Sequence, residues 1–228
     1  MRKSSLIWTA VVTVLVVAAV RNNGGAREIQ IPDPAVDAQL SAKPTEESIV
    51  VAGGCFWGVQ AVFQHVRGVQ VATSGYAGGT AKNAKYEVVS TGTTGHAESV
   101  RVVFDRSQVT LGQLLKIFFS VVHDPTELNR QGPDEGTQYR SAIFYSGDAQ
   151  KQIATAYVTQ LNDAKIFTRR IVTQIAPLDG FFAAETYHQD YFAKNPFDPY
   201  IVINDRPKVE NLRKLFAGSY VKQAAGWK

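Results

Sequence analysis

The most constraining feature of the sequence is a short motif that contains its only cysteine, residues 53–58 (Gly-Gly-Cys-Phe-Trp-Gly). An apolar run at 49–52 precedes the motif, and apolar residues recur at helical spacing over 56–66. The run predicts a buried strand and the spacing predicts a helix. Because the glycine pair allows a sharp turn between them, we expect Cys55 in the first turn of the helix.

The first turn of a helix is a favourable place for a thiolate. Backbone N–H groups without partners and the helix dipole leave partial positive charge there. That charge can lower the pKa of a thiol from about 8.5 to roughly 3.5–7.5. The alternative is that Cys55 is a small buried apolar residue, as free cysteines commonly are. The glycine pair at the start of the helix favours the reactive, ionised thiolate.

The N-terminal segment predicts export. Arg2 and Lys3 precede an uncharged, largely apolar stretch at 6–20, which is typical of a secretory signal and is short for a membrane span. Residues 1–26 are therefore assigned to a signal peptide, or to an N-terminal membrane anchor if cleavage does not occur. The protein is expected to be exported, either periplasmic or anchored in the membrane and facing the periplasm.

The rest of the chain predicts one domain. Residues 27–47 carry prolines among charged and small residues and are interpreted as a linker, 48–216 as the domain, and 217–228 as a C-terminal tail. Strands alternate with helices along the domain, which favours an α/β arrangement with helices packed on a sheet. After the first helix, the pattern predicts strands at 69–73, 96–104, 139–145 and 170–175, helices at 110–122, 147–165 and 208–216, a glycine-rich turn at 74–79 and a long ordered loop at 123–138.

A carboxylate lies on the apolar side of one predicted strand. Alternate residues of a strand share a face, so Glu98 points the same way as Val100 and Val102. The alternative is a solvated Glu98 at the strand's end, because glutamate is rarely fully buried without a partner. Burial would raise the pKa of Glu98 and keep its proton available.

Composition and spacing exclude several function classes. The net charge of +4, with no long Lys/Arg run, argues against a nucleic-acid-binding surface. The four histidines lack the spacing of a zinc site, and the glycines at 75–79 match no phosphate-binding fingerprint. Trp57 stands where a nucleophile elbow needs its second glycine. Redox chemistry at sulfur remains, with Cys55 as nucleophile and Glu98 as proton donor.

An aromatic-rich segment at 179–200 is the other candidate part of a site. Most of its rings are expected to pack beneath irregular backbone, which is the common fate of aromatic residues. Tyr187 and His188 could instead line a pocket, and the sequence leaves both possibilities open.

Five sequence blocks, in order along the chain, resemble those of the peptide methionine-(S)-sulfoxide reductase A family. The resemblance runs from about Ser48 to Leu215. It implies a two-layer α+β sandwich of ferredoxin-like type, with helices packed on a mixed sheet. The blocks are 54–58 (Gly-Cys-Phe-Trp-Gly), 95–98 (Gly-His-Ala-Glu), 123–126 (His-Asp-Pro-Thr), 136–141 (Gly-Thr-Gln-Tyr-Arg-Ser) and 187–191 (Tyr-His-Gln-Asp-Tyr).

The resemblance implies reduction of the S-epimer of methionine sulfoxide, free or in oxidised proteins, as a repair reaction. Cys55 would attack the sulfoxide sulfur and Glu98 would protonate its oxygen, which leaves methionine and a cysteine sulfenic acid. Tyr86 and Tyr139 would hydrogen-bond that oxygen. The further implied site residues are Asp134 as a second active-site carboxylate, Phe56 and Trp57 as an apolar wall for the S-methyl group, and Tyr187 and His188 as substrate-binding residues.

The chain departs from many family members because Cys55 has no resolving cysteine near the C-terminus. An external thiol must then reduce the sulfenic acid, either a thioredoxin-like or glutaredoxin-like protein or a small thiol. No bound cofactor or metal is expected, and a monomer is expected.

Two other functions stay open at this point. A thiol peroxidase would use the same cysteine to reduce peroxides and would ignore methionine sulfoxide. A catalytically silent binding domain would hold oxidised peptides through the aromatic segment and would not need Cys55.

Overall fold

The computed structural model describes residues 31–226. Within that range the strands are β1 (Glu46–Gly53), β2 (Val69–Ala77), β3 (Ala97–Asp105), β4 (Arg130–Gln131), β5 (Asp134–Glu135), β6 (Ser141–Tyr145), β7 (Gln174–Pro177) and β8 (Phe181–Ala183). The helices are α1 (Phe56–Gln64), α2 (Tyr86–Val89), α3 (Leu111–Ile117), α4 (Asp148–Asp163), α5 (Tyr191–Lys194) and α6 (Arg206–Leu215). Strands β4 and β5 pair with each other, and the others form one sheet in the order β7-β6-β1-β3-β2-β8.

The central strands have the ferredoxin-like arrangement. Strands β6, β1, β3 and β2 are neighbours in that order, and each adjacent pair is antiparallel. Helix α1 connects β1 to β2 and helix α3 lies between β3 and β6, which gives the order βαββαβ. Strand β7 pairs in parallel with β6, so the sheet is mixed. The predicted fold class is confirmed.

Alternation along the strands separates two faces of the sheet. Val51 and Val100 belong to the main core beneath the helices, whereas their neighbours Val50 and Ala52 belong to a smaller cluster on the opposite face. The helices supply the other half of the main core with Val59, Val62, Phe63, Leu114, Leu115, Ile153, Leu161 and Leu212. The turn from β1 into α1 therefore lies where the sheet and the helical layer meet.

Two predicted elements are corrected by the pairing of the sheet. The glycine-rich segment predicted as a turn at 74–79 continues β2 as far as Ala77, because β8 pairs with it. A Cβ at Gly75 would lie 2.4 Å from the Phe181 ring, so the glycine serves close approach of β8 rather than a turn. The strand predicted at 170–175 forms instead at β7, beside β6.

The domain extends beyond its predicted boundaries. Ile31 is buried, and the carbonyl of Pro32 accepts a hydrogen bond of 2.8 Å from the Tyr157 hydroxyl. Beyond α6, the backbone N–H groups of Val221 and Ala225 donate to the end of α1. The described residues of 31–47 and 217–228, predicted as linker and tail, therefore pack against the domain. The composition of these two segments predicted no contacts with the domain, whereas backbone and side-chain hydrogen bonds join both segments to it.

The predicted signal or anchor at 1–26 lies outside the described residues. Across 31–226, no helix has the length and apolar character needed to cross a membrane.

Asp37 fixes the N-terminal segment to helix α3. Its carboxylate accepts hydrogen bonds from the Gly112 N–H at 2.9 Å and from the Thr110 hydroxyl. Loss of such an acceptor at a helix N-terminus costs roughly 0.5–2 kcal/mol, so we expect Asp37→Ala to lower the free energy of unfolding by that amount. Chemical denaturation measures it. The control is Asp33→Ala, whose ion pair with Lys116 is exposed and contributes at most about 1 kcal/mol; equal losses in both variants would contradict the role of Asp37.

Candidate active site

The turn between β1 and α1 is clamped from two sides. Gly54 has a φ of 90°, which favours glycine, and a Cβ there would lie 2.7 Å from the Gln131 side chain. Gln131 is itself held by two 3.1 Å hydrogen bonds to the backbone of Asp124. A Cβ at Gly53 would lie 3.1 Å from the His123 ring. The loop at 123–138 is thus ordered, as predicted, and fixes the backbone that presents Cys55.

His123 supports this turn from inside the core. Its Nε2 is 2.7 Å from the Ser141 hydroxyl and its ring centroid is 4.2 Å from that of Phe118. Burial lowers the pKa of His123 to about 3, so the ring is neutral. A neutral, doubly hydrogen-bonded histidine serves as a support here rather than as a base for Cys55.

Cys55 occupies the N-cap position of α1, one residue before the predicted first turn. Burial, the largest effect, and the charge of Glu98 raise the pKa of the Cys55 thiol, although the backbone N–H of Trp57 opposes the rise. The side chain is only 8% exposed. Burial therefore favours the neutral thiol in the free protein, which opposes the predicted ionised thiolate. The favourable charge at the helix terminus is real, but the loss of water around the sulfur outweighs it.

Glu98 lies beneath the same helix end. Its side chain is 2% exposed, and its Oε2 accepts a 3.1 Å hydrogen bond from the N–H of Phe56, the residue that follows Cys55. Burial raises the pKa of Glu98 to about 8. The predicted burial of Glu98 is confirmed and the solvated alternative is wrong, and the raised pKa favours the protonated carboxyl at neutral pH.

Two tyrosines stand around Glu98 and Cys55 as neutral hydrogen-bond donors. Burial raises the pKa of Tyr86 and of Tyr139, and the charges of Glu98 and Cys55 raise both further. Tyr86 begins α2, where its N–H donates to Glu185 at 3.0 Å, and Tyr139 ends a short 3₁₀ turn before β6. Both side chains therefore keep their protons for an oxygen acceptor.

Asp134 lies across a narrow cleft from Cys55. The cleft is lined by Cys55, Val122, residues 131–134, Tyr200, Asn204 and Lys208. The Tyr200 hydroxyl donates to Asp134 Oδ2. Burial raises the pKa of Asp134, although the Tyr200 hydrogen bond and the Lys208 charge oppose the rise. Asp134 is thus the second carboxyl beside Cys55.

An aromatic wall adjoins the sulfur. Phe56 is buried, and its ring centroid lies 5.0 Å from that of His188. The Trp57 indole stacks on Tyr191 with centroids 3.7 Å apart, and its Nε1 donates to His188 Nδ1 at 3.2 Å. His188 is therefore part of the wall's support. Tyr187 is 56% exposed and touches only the outer side of this group, 4.2 Å from the His188 ring.

The sequence reasoning missed the residues contributed by the segment after the aromatic run. Tyr200, Asn204 and Lys208 line the cleft, and Asp205 is completely buried beside Lys208. They enter the site because a π-helical turn, Ile201–Asp205, leads into α6. The only available signal was the i, i+3 spacing of Asp205 and Lys208, which is equally typical of a solvated helix surface.

Comparison with known proteins agrees with this geometry. A family model described as peptide methionine sulfoxide reductase matches residues 47–219. "Peptide methionine sulfoxide reductase MsrA 2" of Mesorhizobium japonicum is 58% identical over 179 residues, which cover 78% of this chain and 92% of that protein. A protein of the same name from Synechocystis sp. is 49% identical over 197 residues, which cover 85% and 92%.

A solved structure supports the same relationship. Methionine sulfoxide reductase A of Corynebacterium diphtheriae matches with a TM-score of 0.59 and 34% sequence identity, covering 80% of this chain and 94% of that chain. The match over most of the sequence, together with the arrangement around Cys55 and Glu98, has one consistent explanation: the chain belongs to the peptide methionine sulfoxide reductase family.

Proposed function

We propose that this protein reduces the S-epimer of methionine sulfoxide, free and in oxidised proteins, to methionine. The observation that carries the proposal is the pairing of Cys55 with a buried, protonated Glu98 at the head of one helix. The N–H of Phe56, next to Cys55, donates to the Glu98 carboxyl at 3.1 Å and holds the two groups in one place. Family membership supplies the substrate class.

The first chemical step transfers an oxygen atom to sulfur. Cys55 Sγ bonds to the sulfoxide sulfur while Glu98 gives its proton to the sulfoxide oxygen, and the proton of the thiol replaces it on Glu98. The hydroxyl group then moves from the methionine sulfur to Cys55 Sγ as the bond between the two sulfurs breaks, which releases methionine and leaves a sulfenic acid on Cys55. Methionine sulfur gains two electrons and Cys55 sulfur loses two. Because both groups start neutral, this exchange puts no net charge into the buried site.

The surroundings match a polar oxygen beside an apolar methyl group. Tyr86 and Tyr139 retain their hydroxyl protons and can donate to the oxygen. Phe56 and Trp57 offer a dry surface to the methyl group, and the stacked Tyr191 and the hydrogen bond to His188 hold the indole rigid. Such a wall favours the epimer that directs its oxygen toward Glu98.

An external thiol completes the cycle because Cys55 is the only cysteine. A thioredoxin-like or glutaredoxin-like protein, or a small thiol, would convert the sulfenic acid to a mixed disulfide and water, and a second thiol would then release Cys55. The N-terminal composition supports an exported enzyme, either cleaved or membrane-anchored. The reductant would then belong to the same exported compartment.

The test is an assay of the S- and R-epimers, free and in a peptide, with dithiothreitol as reductant. We expect turnover of the S-epimer alone. Reaction with hydrogen peroxide and no turnover of either sulfoxide epimer would replace the proposal with a thiol peroxidase.

Trp57→Ala is expected to raise KM for the sulfoxide with a smaller effect on kcat, because it removes a contact made equally in the ground and transition states. Steady-state kinetics with a peptide sulfoxide measure both constants. Phe197→Ala is the control, since that ring is 88% exposed. An unchanged KM in Trp57→Ala would mean that the methyl group binds elsewhere.

The rate of methionine formation should fall as pH rises through about 8, the pKa to which burial raises Glu98. Below that pH the carboxyl is protonated and can donate; above it the carboxyl is ionised and cannot. The raised pKa of the thiol alone would give the opposite trend. Single-turnover methionine formation without reductant isolates this step, and a rate that only increases with pH would remove Glu98 from the acid role.

A further inference from the structure

A buried ion pair lies beside the reactive cysteine. Lys208 Nζ is 3.1 Å from Asp205 Oδ1, and their side chains are 8% and 0% exposed. Asp205 belongs to the π-helical turn before α6, and Lys208 to the first turn of α6. The pair is therefore carried by the segment that leads from the π-helical turn into α6.

Stability does not account well for this pair. Removing two charges from water costs several kcal/mol, and their attraction offsets the cost only when the remaining hydrogen bonds are made. Within the described residues, Asp205 Oδ2 is buried without a hydrogen-bond partner. Helix α6 already has a proline in its first turn and places Leu212 in the core. A role in the chemistry of the neighbouring sulfur gives a reason for retaining the charges.

The pair is packed against the helix that begins after Cys55. A Cβ at Gly58 would lie 2.1 Å from Asp205 Oδ1 and 3.0 Å from Lys208 Nζ, so only glycine leaves room for the pair. Gly58 is three residues after Cys55 and so lies on the same side of α1. Lys208 also lines the cleft that contains Cys55. The ammonium group is thus placed along the side of the helix from which the sulfur emerges.

The charges around Cys55 make a cation there useful. Burial, Glu98 and Asp205 all raise the pKa of the thiol, and Lys208 lowers it. A thiolate formed at this sulfur therefore meets two carboxyl groups and one ammonium group. Lys208 also acts on the nearby Asp134: its positive charge lowers the pKa of the Asp134 carboxyl, which burial raises.

One step of the cycle requires a free thiolate at Cys55. After the mixed disulfide forms, a reductant thiolate bonds to the outer sulfur, the bond to Cys55 Sγ breaks, and its electron pair leaves on Cys55. The reductant is oxidised to a disulfide, Cys55 is reduced, and solvent later returns its proton. Disulfide exchange is faster when the leaving thiol has a lower pKa. The first step differs, because Glu98 exchanges protons with the thiol and the sulfoxide.

We propose, on the basis of the function proposed above, that Lys208 stabilises the Cys55 thiolate as it leaves the mixed disulfide, and that Asp205 is the positioning residue for Lys208. Lys208 thereby assists regeneration by an external thiol in a chain that has no resolving cysteine. Gly58 supplies the space for the ion pair.

The experiment measures the two half-reactions separately in the full-length protein. Single-turnover methionine formation from an S-sulfoxide peptide reports the first half. Release of Cys55 from a preformed mixed disulfide with glutathione, by dithiothreitol, reports the second. In Lys208→Met we expect release to slow by about tenfold relative to any change in methionine formation, because the leaving thiol has a higher pKa. The pH profile of Cys55 alkylation should move to higher pH in the same variant.

The controls separate a chemical role from a structural one. Asp205→Asn with Lys208→Met removes both charges and leaves no unpaired buried carboxylate. Because Asp205 raises the pKa of the thiol and Lys208 lowers it, the double variant should release Cys55 faster than Lys208→Met alone. Lys116→Met, which breaks an ion pair with the exposed Asp33, should change neither half-reaction. Equal slowing of both half-reactions, or unchanged release and alkylation, would overturn the role of Lys208. Absence of methionine formation in the unmodified protein would instead overturn the proposed function.

Discussion

Glu98→Gln is expected to lower kcat by about 10²–10⁴-fold, the usual contribution of a positioned general acid, and to change KM much less. Glutamine has nearly the same shape, and its amide oxygen can still accept from the Phe56 N–H, as the carboxyl does at 3.1 Å. The loss is therefore confined to the proton that the sulfoxide oxygen needs in the transition state. Single-turnover and steady-state kinetics together measure it.

A second carboxyl near the site gives a matched control for that variant. Glu185 accepts hydrogen bonds from the Tyr86 N–H and from the Tyr76 hydroxyl, at 3.0 and 2.9 Å. Glu185→Gln keeps an oxygen acceptor for the Tyr86 N–H, and the Tyr76 hydroxyl can rotate to accept from the new amide NH2 group. The variant removes a charge without touching the acid at Cys55, so kcat should change far less. If the two variants lose kcat equally, Glu98 acts through the charge of the site and not as the proton donor.

Gly54→Ala is expected to give the largest loss of stability among single-methyl additions at the site. The residue has a φ of 90°, where a side chain costs on the order of 1–3 kcal/mol. Its new methyl group would also lie 2.7 Å from Gln131, and overpacking of this kind costs about 1–3 kcal/mol more. The free energy of unfolding from chemical denaturation measures the sum, and activity should fall because the turn carries Cys55.

Two other glycines separate these contributions. Gly132 has a φ of 58° with nothing within 4 Å of its would-be Cβ, so Gly132→Ala isolates the backbone cost. Gly218 has the same open space without a positive φ, so Gly218→Ala should be nearly neutral. A Gly54→Ala variant no less stable than Gly132→Ala would show that the loop around Gln131 moves aside at little cost.

The local architecture of the site could be predicted because it depends on short-range sequence patterns, namely helical spacing and strand alternation. The spacing of Phe56, Val59 and Val62 defined α1, and the alternation around Glu98 defined the buried face of β3. Placing the cysteine at the end of one element and the acid on the face of another then required only the ferredoxin-like order. The same pattern correctly predicted that the Glu98 carboxyl is buried, and burial raises its pKa.

The state of the sulfur could not be predicted in the same way. A helix N-terminus is a local feature, whereas the desolvation of Cys55 depends on everything packed around it. The sequence therefore indicated the stabilising helix dipole but gave no sign of the larger effect of desolvation, which raises the pKa of the thiol. Asp205 and Lys208 were not predicted as site residues for a related reason, because a charged pair at the start of a helix normally faces solvent. Only the packing of α6 against Gly58 shows that this pair is buried.

The neutral His123 beneath the catalytic turn makes the free energy of unfolding sensitive to acid. The unfolded chain takes up a proton on His123 near its ordinary pKa of about 6.5, but the folded protein does so only near 3. Between these values the contribution of His123 to the free energy of unfolding decreases as the pH falls. The raised pKa of Glu98 acts in the opposite direction from about 8 down to its ordinary value near 4, so the effect of His123 is unopposed by Glu98 only below that value. The support beneath Gly53 therefore weakens in acid, although Glu98 keeps there the proton that it donates.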